Sequence, residues 1–407
     1  MPPYSDSTVS LLTRGYAWLP DRMRSAADGV FATRLWGRPT VALRGPEAVA
    51  FFNDERHVPR TVALPDPVLG TLFGQGAGHT LDGEARRVRE AMFIALLDSG
   101  KGIAALGDHV VWRWREAVAG WKSDPVVVLD ETARVLALAV CDWAGMALSE
   151  ADAREMAHDC VAMVDGFAAP GLRHLRARRA RARQEQSLAR LIAQVREGQE
   201  ADLKGSALEA VAWHRDVDGN VLDPHAAAVE LLNIIRPTVA VAWFAAFAAH
   251  ALHRWPHHRE LLRSDPEGSH AKAFAHEVRR FYPFAPFVGG LAARDLTWRG
   301  TTIRKGTLVL LDLYGHHHDA ALWEHPYRFD PHRFTSPNNL LAQLIPQGGG
   351  DAALGHRRPG EDVTVTALSA VAAELARLDY EVPDQNLTIP LSRIPTAPRS
   401  GFILRLP

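Results

Sequence analysis

The chain has 407 residues, of which 47% are hydrophobic and 23% are charged. This is the composition of a globular protein with enough apolar material for a large core. The formal net charge is −1 at pH 7, so no overall electric field favours nucleic acid or a membrane surface as a partner.

Localisation signals are missing from the sequence. The residues after Met1 lack a basic segment followed by an apolar run, so we predict no signal peptide. The most apolar run, 238–250, is shorter than the roughly 18 residues of a membrane span and is predicted to be a buried helix. Two cysteines, Cys141 and Cys160, are too few for a disulfide framework or a zinc site and favour a reducing compartment. We therefore expect a cytoplasmic protein that does not enter a membrane.

Predicted strands cluster in three parts of the chain. The first pair falls at 31–36 and 39–43, the second group spans 291–312, and the third pair lies at 378–382 and 402–406. Elsewhere the helical period dominates, and it predicts helices at 45–53, 82–97, 102–119, 130–144, 150–168, 176–197, 224–252, 256–262, 271–282 and 361–377. No linker or repeat divides the chain. We expect a mostly helical α+β fold with small sheets, formed as a single domain over residues 1–407.

Three consecutive histidines, His316 to His318, suggest a metal site at first sight. Adjacent side chains point in different directions in any regular element, whereas zinc ligands are spaced so that they converge. We therefore interpret this stretch as a loop and assign no metal ligand.

A charged pair and a later arginine follow one another in a suggestive order. Glu277 and Arg280 are three residues apart, on one face of a predicted helix. Arg333 follows in the stretch Pro-His-Arg-Phe, and we predict a structural role for all three. Such a pair alone is weak evidence, because exposed ion pairs contribute less than about 1 kcal/mol. The order of helix, strands, Pro-x-Arg-Phe, glycine-rich loop and long helix is more informative.

This order resembles the C-terminal half of the cytochromes P450. From 11–16 to 400–402, the sequence resembles the bacterial fatty-acid peroxygenase and decarboxylase branch of that family. The stretches that carry the resemblance are 142–145 (DWAG), 230–237 (ELLNIIRP), 277–287, 310–315 (LLDLYG) and 345–350 (IPQGGG). The resemblance implies the P450 fold, haem b as cofactor, hydrogen peroxide as oxidant and a carboxylic acid substrate. No obligatory redox partner is then expected.

The resemblance also implies a substrate pocket. Arg236 and Pro237 stand where other P450s carry an acid–alcohol pair, and Arg236 is expected to bind the substrate carboxylate through its fork of donors. Proline within a helix removes a backbone donor and bends the helix. Phe73, His79 and Phe287 are expected to line the pocket, with His79 as a further catalytic residue that is typical of the decarboxylases. The alternatives are a structural ion pair for Arg236 and a structural role for His79.

Haem contacts follow from the same resemblance. Arg60 and Arg86 are expected to meet the propionates. Gly349, His356 and Arg357 belong to the loop that holds the axial ligand. That ligand is a cysteine thiolate in the family, and it donates electron density that favours O–O cleavage. Here the position holds Arg358, whose guanidinium stays protonated and offers no lone pair.

Three interpretations of Arg358 stay open. In the first, haem is held by apolar contacts and its propionates, with water, a histidine or nothing on the proximal side, and peroxygenase activity is lost or altered. In the second, the protein is haem-free, and its cavity binds an anionic small molecule between Arg236 and Arg358 or catalyses a non-redox step. In the third, Arg358 is a laboratory substitution or a natural lesion, because one base change converts a cysteine codon to arginine.

Overall fold

The computed structural model describes residues 5–26, 29–59, 69–78, 81, 83–97, 100–167, 169–199, 203–335, 340–349 and 360–407. Their contacts group into two compact units. The first comprises Met1–Pro65, His276–Arg358 and Ile389–Thr396, and the second comprises Asp66–Ala275, Pro359–Thr388 and Ala397–Pro407. The single domain over residues 1–407 stays a prediction.

Helices dominate the described residues, as the sequence predicts. The helices are α1 (Thr8–Arg14), α2 (Trp18–Arg24), α3 (Pro46–Asn53), α4 (Gly83–Leu97), α5 (Gly100–Gly120), α6 (Val128–Ala144), α7 (Glu150–Gly166), α8 (Leu172–Arg196), α9 (Ala207–Ala212), α10 (Pro224–Val239), α11 (Val241–Arg254), α12 (His257–Arg263), α13 (Ser269–Phe281), α14 (Leu313–His317) and α15 (Glu361–Arg377). The strands are β1 (Val30–Leu35), β2 (Arg38–Leu43), β3 (Val126–Val127), β4 (Phe287–Leu291), β5 (Leu296–Trp298), β6 (Thr301–Ile303), β7 (Leu308–Asp312) and β8 (Ile403–Leu404).

The first unit is built on a four-stranded sheet with the order β1-β2-β7-β4. β1 and β2 form an antiparallel hairpin, β2 runs parallel to β7, and β4 runs antiparallel to β7. The hairpin turns through Trp36 and Gly37, whose φ angles of 49° and 73° are those of a two-residue turn that matches the strand twist. Val41, Leu43 and Leu311 project into the core of this unit.

The second unit is a helical bundle around α10 and α11. Residues Pro224–Arg254 are long and apolar enough to cross a membrane, with a mean hydropathy of 1.6 over their most apolar window. However, 94% of that window is buried inside the protein. α6 and α8 pack against α10, and α6 and α15 pack against α11. The stretch therefore serves as the core of the bundle.

Three predictions about individual elements are wrong. The helix predicted at 224–252 is divided at Ala240 into α10 and α11, three residues after Pro237, which has no N–H to donate to the carbonyl oxygen of Asn233. The strand predicted at 378–382 is reduced to one bridge between Glu381 and Arg405. His316 and His317 belong to α14 and not to a loop.

Candidate ligand-binding site

One face of α10 carries Arg236 together with two further polar residues. Asp223 caps the start of this helix by accepting a hydrogen bond from His225 N at 2.9 Å, and Pro224 occupies its first turn. Glu230, Asn233 and Arg236 follow at intervals of three residues, which places them along one side of the helix. All three are buried, and Arg236 is only 6% exposed. Such a face can offer both charge and hydrogen bonds inside an apolar bundle.

The segment 69–78 lies against this face. Its first part, Leu69–Phe73, is a single π-helical turn, a local distortion that is frequent at functional sites. Asn233 Nδ2 donates to the carbonyl oxygen of Phe73 at 2.9 Å, and Gly78 N donates to Glu230 Oε1 at 2.7 Å. These two bonds hold the segment at its middle and at its C-terminal end, and the centroid of the Phe73 ring lies 5.8 Å from the Arg236 guanidinium carbon.

Glu230 is fully buried, so its negative charge needs a compensating partner inside the protein. Arg89 on α4 forms an ion pair with Glu230 Oε1. Burial raises the pKa of Glu230, while Arg89 and the Gly78 N–H act in the opposite direction. We did not predict Glu230, Asn233 or Arg89 as site residues. The signal that could have found the first two is their three-residue spacing from Arg236.

Gly74 packs between two helices. Its φ angle of +82° lies in the left-handed region. A Cβ atom here would collide with Arg181 Nη2 of α8, and it would lie 2.8 Å from Val229 Cγ1 of α10. Only glycine satisfies both conditions, so Arg181 and Val229 can approach the backbone directly after Phe73.

Both cysteines are buried thiols on helices of the second unit, Cys141 on α6 and Cys160 on α7. Burial raises the pKa of Cys160 to about 12, although the nearby positive charges of Arg236 and Arg181 favour its thiolate. Burial also raises the pKa of Cys141. Both side chains are therefore neutral thiols at physiological pH.

Residues Glu277, Arg280 and Arg333, for which we predicted a structural role, lie together in the first unit. Arg280 forms two bonds of 2.7 Å to the carboxylate oxygens of Glu277, and both side chains are fully buried. Arg280 Nη1 also donates to the carbonyl oxygens of His317 and Pro326. Arg333 Nε lies 3.7 Å from Glu277 Oε1. The cluster thus ties α13 to the chain that follows α14.

Each of the three histidines at 316–318 forms a hydrogen bond with a backbone group. His316 Nε2 lies 3.0 Å from the carbonyl oxygen of Gln343, His317 Nε2 accepts from Ile345 N at 3.0 Å, and His318 Nδ1 lies 2.9 Å from the carbonyl oxygen of Tyr314. Burial lowers the pKa of His316 and of His318 to about 4. Among the described residues, no group of histidine, cysteine and acidic side chains is arranged to hold a metal ion.

The residues predicted to contact haem are only partly described. Arg86 lies on α4, and its Nη2 is 3.3 Å from Glu90 Oε2. Gly349 approaches α3 so closely that a Cβ atom would collide with Val49. The predicted site residues that lie outside the described part of the chain are Arg60, His79, His356, Arg357 and Arg358.

Phe287, which we predicted to contact substrate, lies on β4 of the first unit. Its ring centroid is 6.3 Å from that of Trp18, and it packs against the core cluster that includes Leu11, Leu19 and Leu310. Its role toward a ligand stays a prediction.

The donor atoms predicted for the haem site do not fit a haem held through a thiolate. Arg358 stands at the predicted axial position in the sequence, and a guanidinium has no lone pair to donate. The two cysteines are buried, neutral thiols on α6 and α7. Arg86 retains a positive charge that suits a propionate, but a propionate contact does not replace the missing thiolate.

Sequence comparisons match part of the chain to known proteins. The family model for cytochrome P450 matches residues 270–350. Cytochrome P450 4A11 of Homo sapiens is 33% identical over 133 residues, which are 32% of this chain and 25% of that protein. Cytochrome P450 4A7 of Oryctolagus cuniculus is 32% identical over the same length. The alignment thus spans about a quarter of the length of these relatives.

Solved structures match almost the whole chain. Cytochrome P450SP alpha (CYP152B1), in complex with (R)-ibuprophen, is 40% identical, with a TM-score of 0.93 and 98% of each chain covered. Cytochrome P450 OleT, ligand-free, is 33% identical, with a TM-score of 0.94 and coverage of 99% of this chain and 98% of that one. A variant of OleT in complex with arachidonic acid is 32% identical, with a TM-score of 0.94 and coverage of 100% and 98%.

The chain therefore belongs to the cytochrome P450 family, and the predicted P450 fold is confirmed. Within that family, the predicted resemblance to the fatty-acid peroxygenase and decarboxylase branch is also confirmed. Membership in the family implies haem as the cofactor.

Proposed function

We propose that this chain is a P450-fold protein that binds a carboxylic acid at Arg236, and that its normal peroxygenase activity is lost or altered because Arg358 has replaced the thiolate. The observation that carries the proposal is the buried Arg236 guanidinium, which faces the Phe73 ring on the face of α10 that holds segment 69–78. The proposal places the protein in the cytoplasm and requires no redox partner, nucleic acid or membrane.

The chemistry of Arg236 suits a carboxylate. A guanidinium remains charged at every physiological pH, and its planar fork donates two parallel bonds to a carboxylate. Burial strengthens this attraction because little water screens it. The ligands of two solved relatives support the choice, since (R)-ibuprophen and arachidonic acid are both carboxylic acids.

Pro237 and His79 have separate roles in this proposal. Pro237 lacks the N–H that would otherwise bond to the carbonyl oxygen of Asn233, which loosens the helix next to Arg236. His79 is proposed to lie beside the bound carboxylate. Glu230 supports this role indirectly, because it holds the backbone of Gly78, the residue that precedes His79.

A haem-free protein that binds an anion, or that catalyses a non-redox step, is the second candidate function. The donor set favours it, because Arg358 cannot coordinate iron and both cysteines are neutral thiols. In either case Arg236 binds the ligand carboxylate.

Calorimetric titration with dodecanoic acid tests the shared part of both candidates. We expect Arg236→Gln to weaken binding roughly 10- to 100-fold, since a hydrogen bond to a charged group contributes about 1.5–3 kcal/mol. Arg236→Lys, which keeps the charge and loses the fork, should fall between this variant and the wild type. Arg190→Gln changes an exposed arginine on α8 and serves as the control. Equal affinity in Arg236→Gln and the wild type would refute the proposed carboxylate site.

A further inference from the structure

A second buried guanidinium lies beside segment 69–78. Arg181 on α8 is 2% exposed, and its Nε donates to Glu185 Oε1 at 2.5 Å. Within the described part of the chain, its Nη1 and Nη2 atoms are buried and have no hydrogen-bond partner. Buried polar groups nearly always form hydrogen bonds, and a group that is left without one destabilises the protein. The N–H groups on Nη1 and Nη2 of Arg181 can therefore donate hydrogen bonds to a ligand.

Arg181 and Arg236 approach two adjacent residues, Gly74 and Phe73, from different helices. Nη2 of Arg181 lies against Gly74, in the space where any other residue would place its Cβ atom. Gly74 directly follows Phe73, whose ring faces Arg236. The thiol of Cys160 on α7 is also influenced by the positive charges of both arginines. The two guanidinium groups thus border one buried region.

The charges around this region limit what Arg181 can bind. Among the described residues, Arg181 pairs with the carboxylate of Glu185, and Arg89 pairs with that of Glu230. In the proposed function, the ligand carboxylate is bound by Arg236. A neutral oxygen acceptor then suits the remaining N–H groups of Arg181 better than a second anion, because a second anion would be buried without a counter-charge.

We propose that Arg181 forms a polar subsite that binds a hydroxyl or carbonyl oxygen of the ligand, and that the preferred ligands are hydroxy or oxo carboxylic acids. This proposal rests on the proposed function, in which Arg236 holds the ligand carboxylate. An unsubstituted alkyl chain would leave the Nη1 and Nη2 groups unpaired, whereas a suitably placed oxygen satisfies them. A site built to hydrogen-bond a ligand oxygen discriminates against an analogue that lacks it.

Calorimetric titration with dodecanoic acid and its monohydroxy isomers, hydroxylated at successive carbons, tests this subsite. We expect at least one isomer to bind the wild type roughly 10-fold more tightly than dodecanoic acid. Arg181→Met should lose this preference and bind the preferred isomer and dodecanoic acid with affinities that are equal within about 3-fold. Arg179→Met, which removes an exposed arginine of the same helix, should retain the preference.

Two results would overturn the subsite. One is a wild-type protein that binds no hydroxy isomer more tightly than dodecanoic acid. The other is an Arg181→Met variant, or Arg181→Lys if the first does not fold, that retains the full preference. Failure of the proposed function is seen separately, because dodecanoic acid would then bind equally well to the wild type and to Arg236→Gln.

Discussion

Glu230 combines two tasks at a position with no access to water. Its Oε1 atom accepts the Gly78 N–H and also pairs with Arg89, so one oxygen joins α10 to segment 69–78 and to α4. A buried ion pair contributes little net stability compared with apolar residues, but the removal of one partner leaves an uncompensated charge. We therefore interpret Glu230 as a positioning residue, whose carboxylate orders the segment that carries Phe73.

Glu230→Gln should separate the hydrogen bond from the charge. The amide oxygen can still accept the Gly78 N–H, but Arg89 is left buried without a carboxylate, so we expect a loss of about 3–5 kcal/mol in the free energy of unfolding. Urea denaturation of the variant measures this loss. The double variant Glu230→Gln/Arg89→Met should recover part of it. If the single variant were as stable as the wild type, Glu230 would not hold the charge of Arg89.

At the scale of elements, the site depends on how α8, α10 and segment 69–78 meet. Periodicity predicts α8 and the start of α10, since their apolar residues recur at helical intervals. It does not predict the π-helical turn at Leu69–Phe73, because this turn is fixed by the bond from Asn233 to Phe73, 160 positions away in the chain. It also overestimates the continuity of α10, although Pro237 was visible as a source of bending.

Gly74 and Gly76 provide a matched pair of positions that tests the contact between α8, α10 and segment 69–78. Both have left-handed φ angles, of 82° and 75°, but Gly74 is packed against Arg181 and Val229, whereas a Cβ on Gly76 would meet nothing within 4 Å. Gly76→Ala should therefore cost only the backbone strain, about 1–2 kcal/mol. Gly74→Ala should cost a further 1–3 kcal/mol or so from overpacking, and it should weaken the binding of dodecanoic acid.

Thermal unfolding and calorimetric titration of the two variants measure these effects. Because the backbone strain is shared, the difference between the variants reports the packing of Gly74 alone. Equal stability and equal affinity in the two variants would show that Gly74 does not need the close approach of Arg181.

At the scale of the whole molecule, the fold depends on nearly the whole chain, whereas the predicted axial ligand depends on a single residue. The fold is shared with cytochrome P450SP alpha and OleT over nearly the whole chain. The predicted axial position depends on one residue, and an arginine there does not provide the thiolate that favours O–O cleavage in the family. In the proposed function, the chain keeps the P450 fold and a carboxylate site but loses the peroxide chemistry of the family.

Arg358→Cys should restore what the single position removes. After expression with added haem, we expect the variant to show the reduced–CO absorption peak of a thiolate-ligated haem and to oxidise dodecanoic acid with hydrogen peroxide. The unmodified chain should show neither. A thiolate-type spectrum in the unmodified chain would contradict the proposal, and a folded variant without the spectrum would mean that the haem site has changed beyond its axial ligand.

The sequence by itself determined the family, the mostly helical α+β fold, the strand pair at the N-terminus and the identity of Arg358. These features depend on local periodicity, turn residues and motifs, all of which can be read along the chain. Only the tertiary structure placed Asn233 on the Phe73 carbonyl, Glu230 between Gly78 and Arg89, and Arg181 against Gly74. Such contacts join residues that are distant in sequence, and no local pattern specifies which helix face will meet which segment.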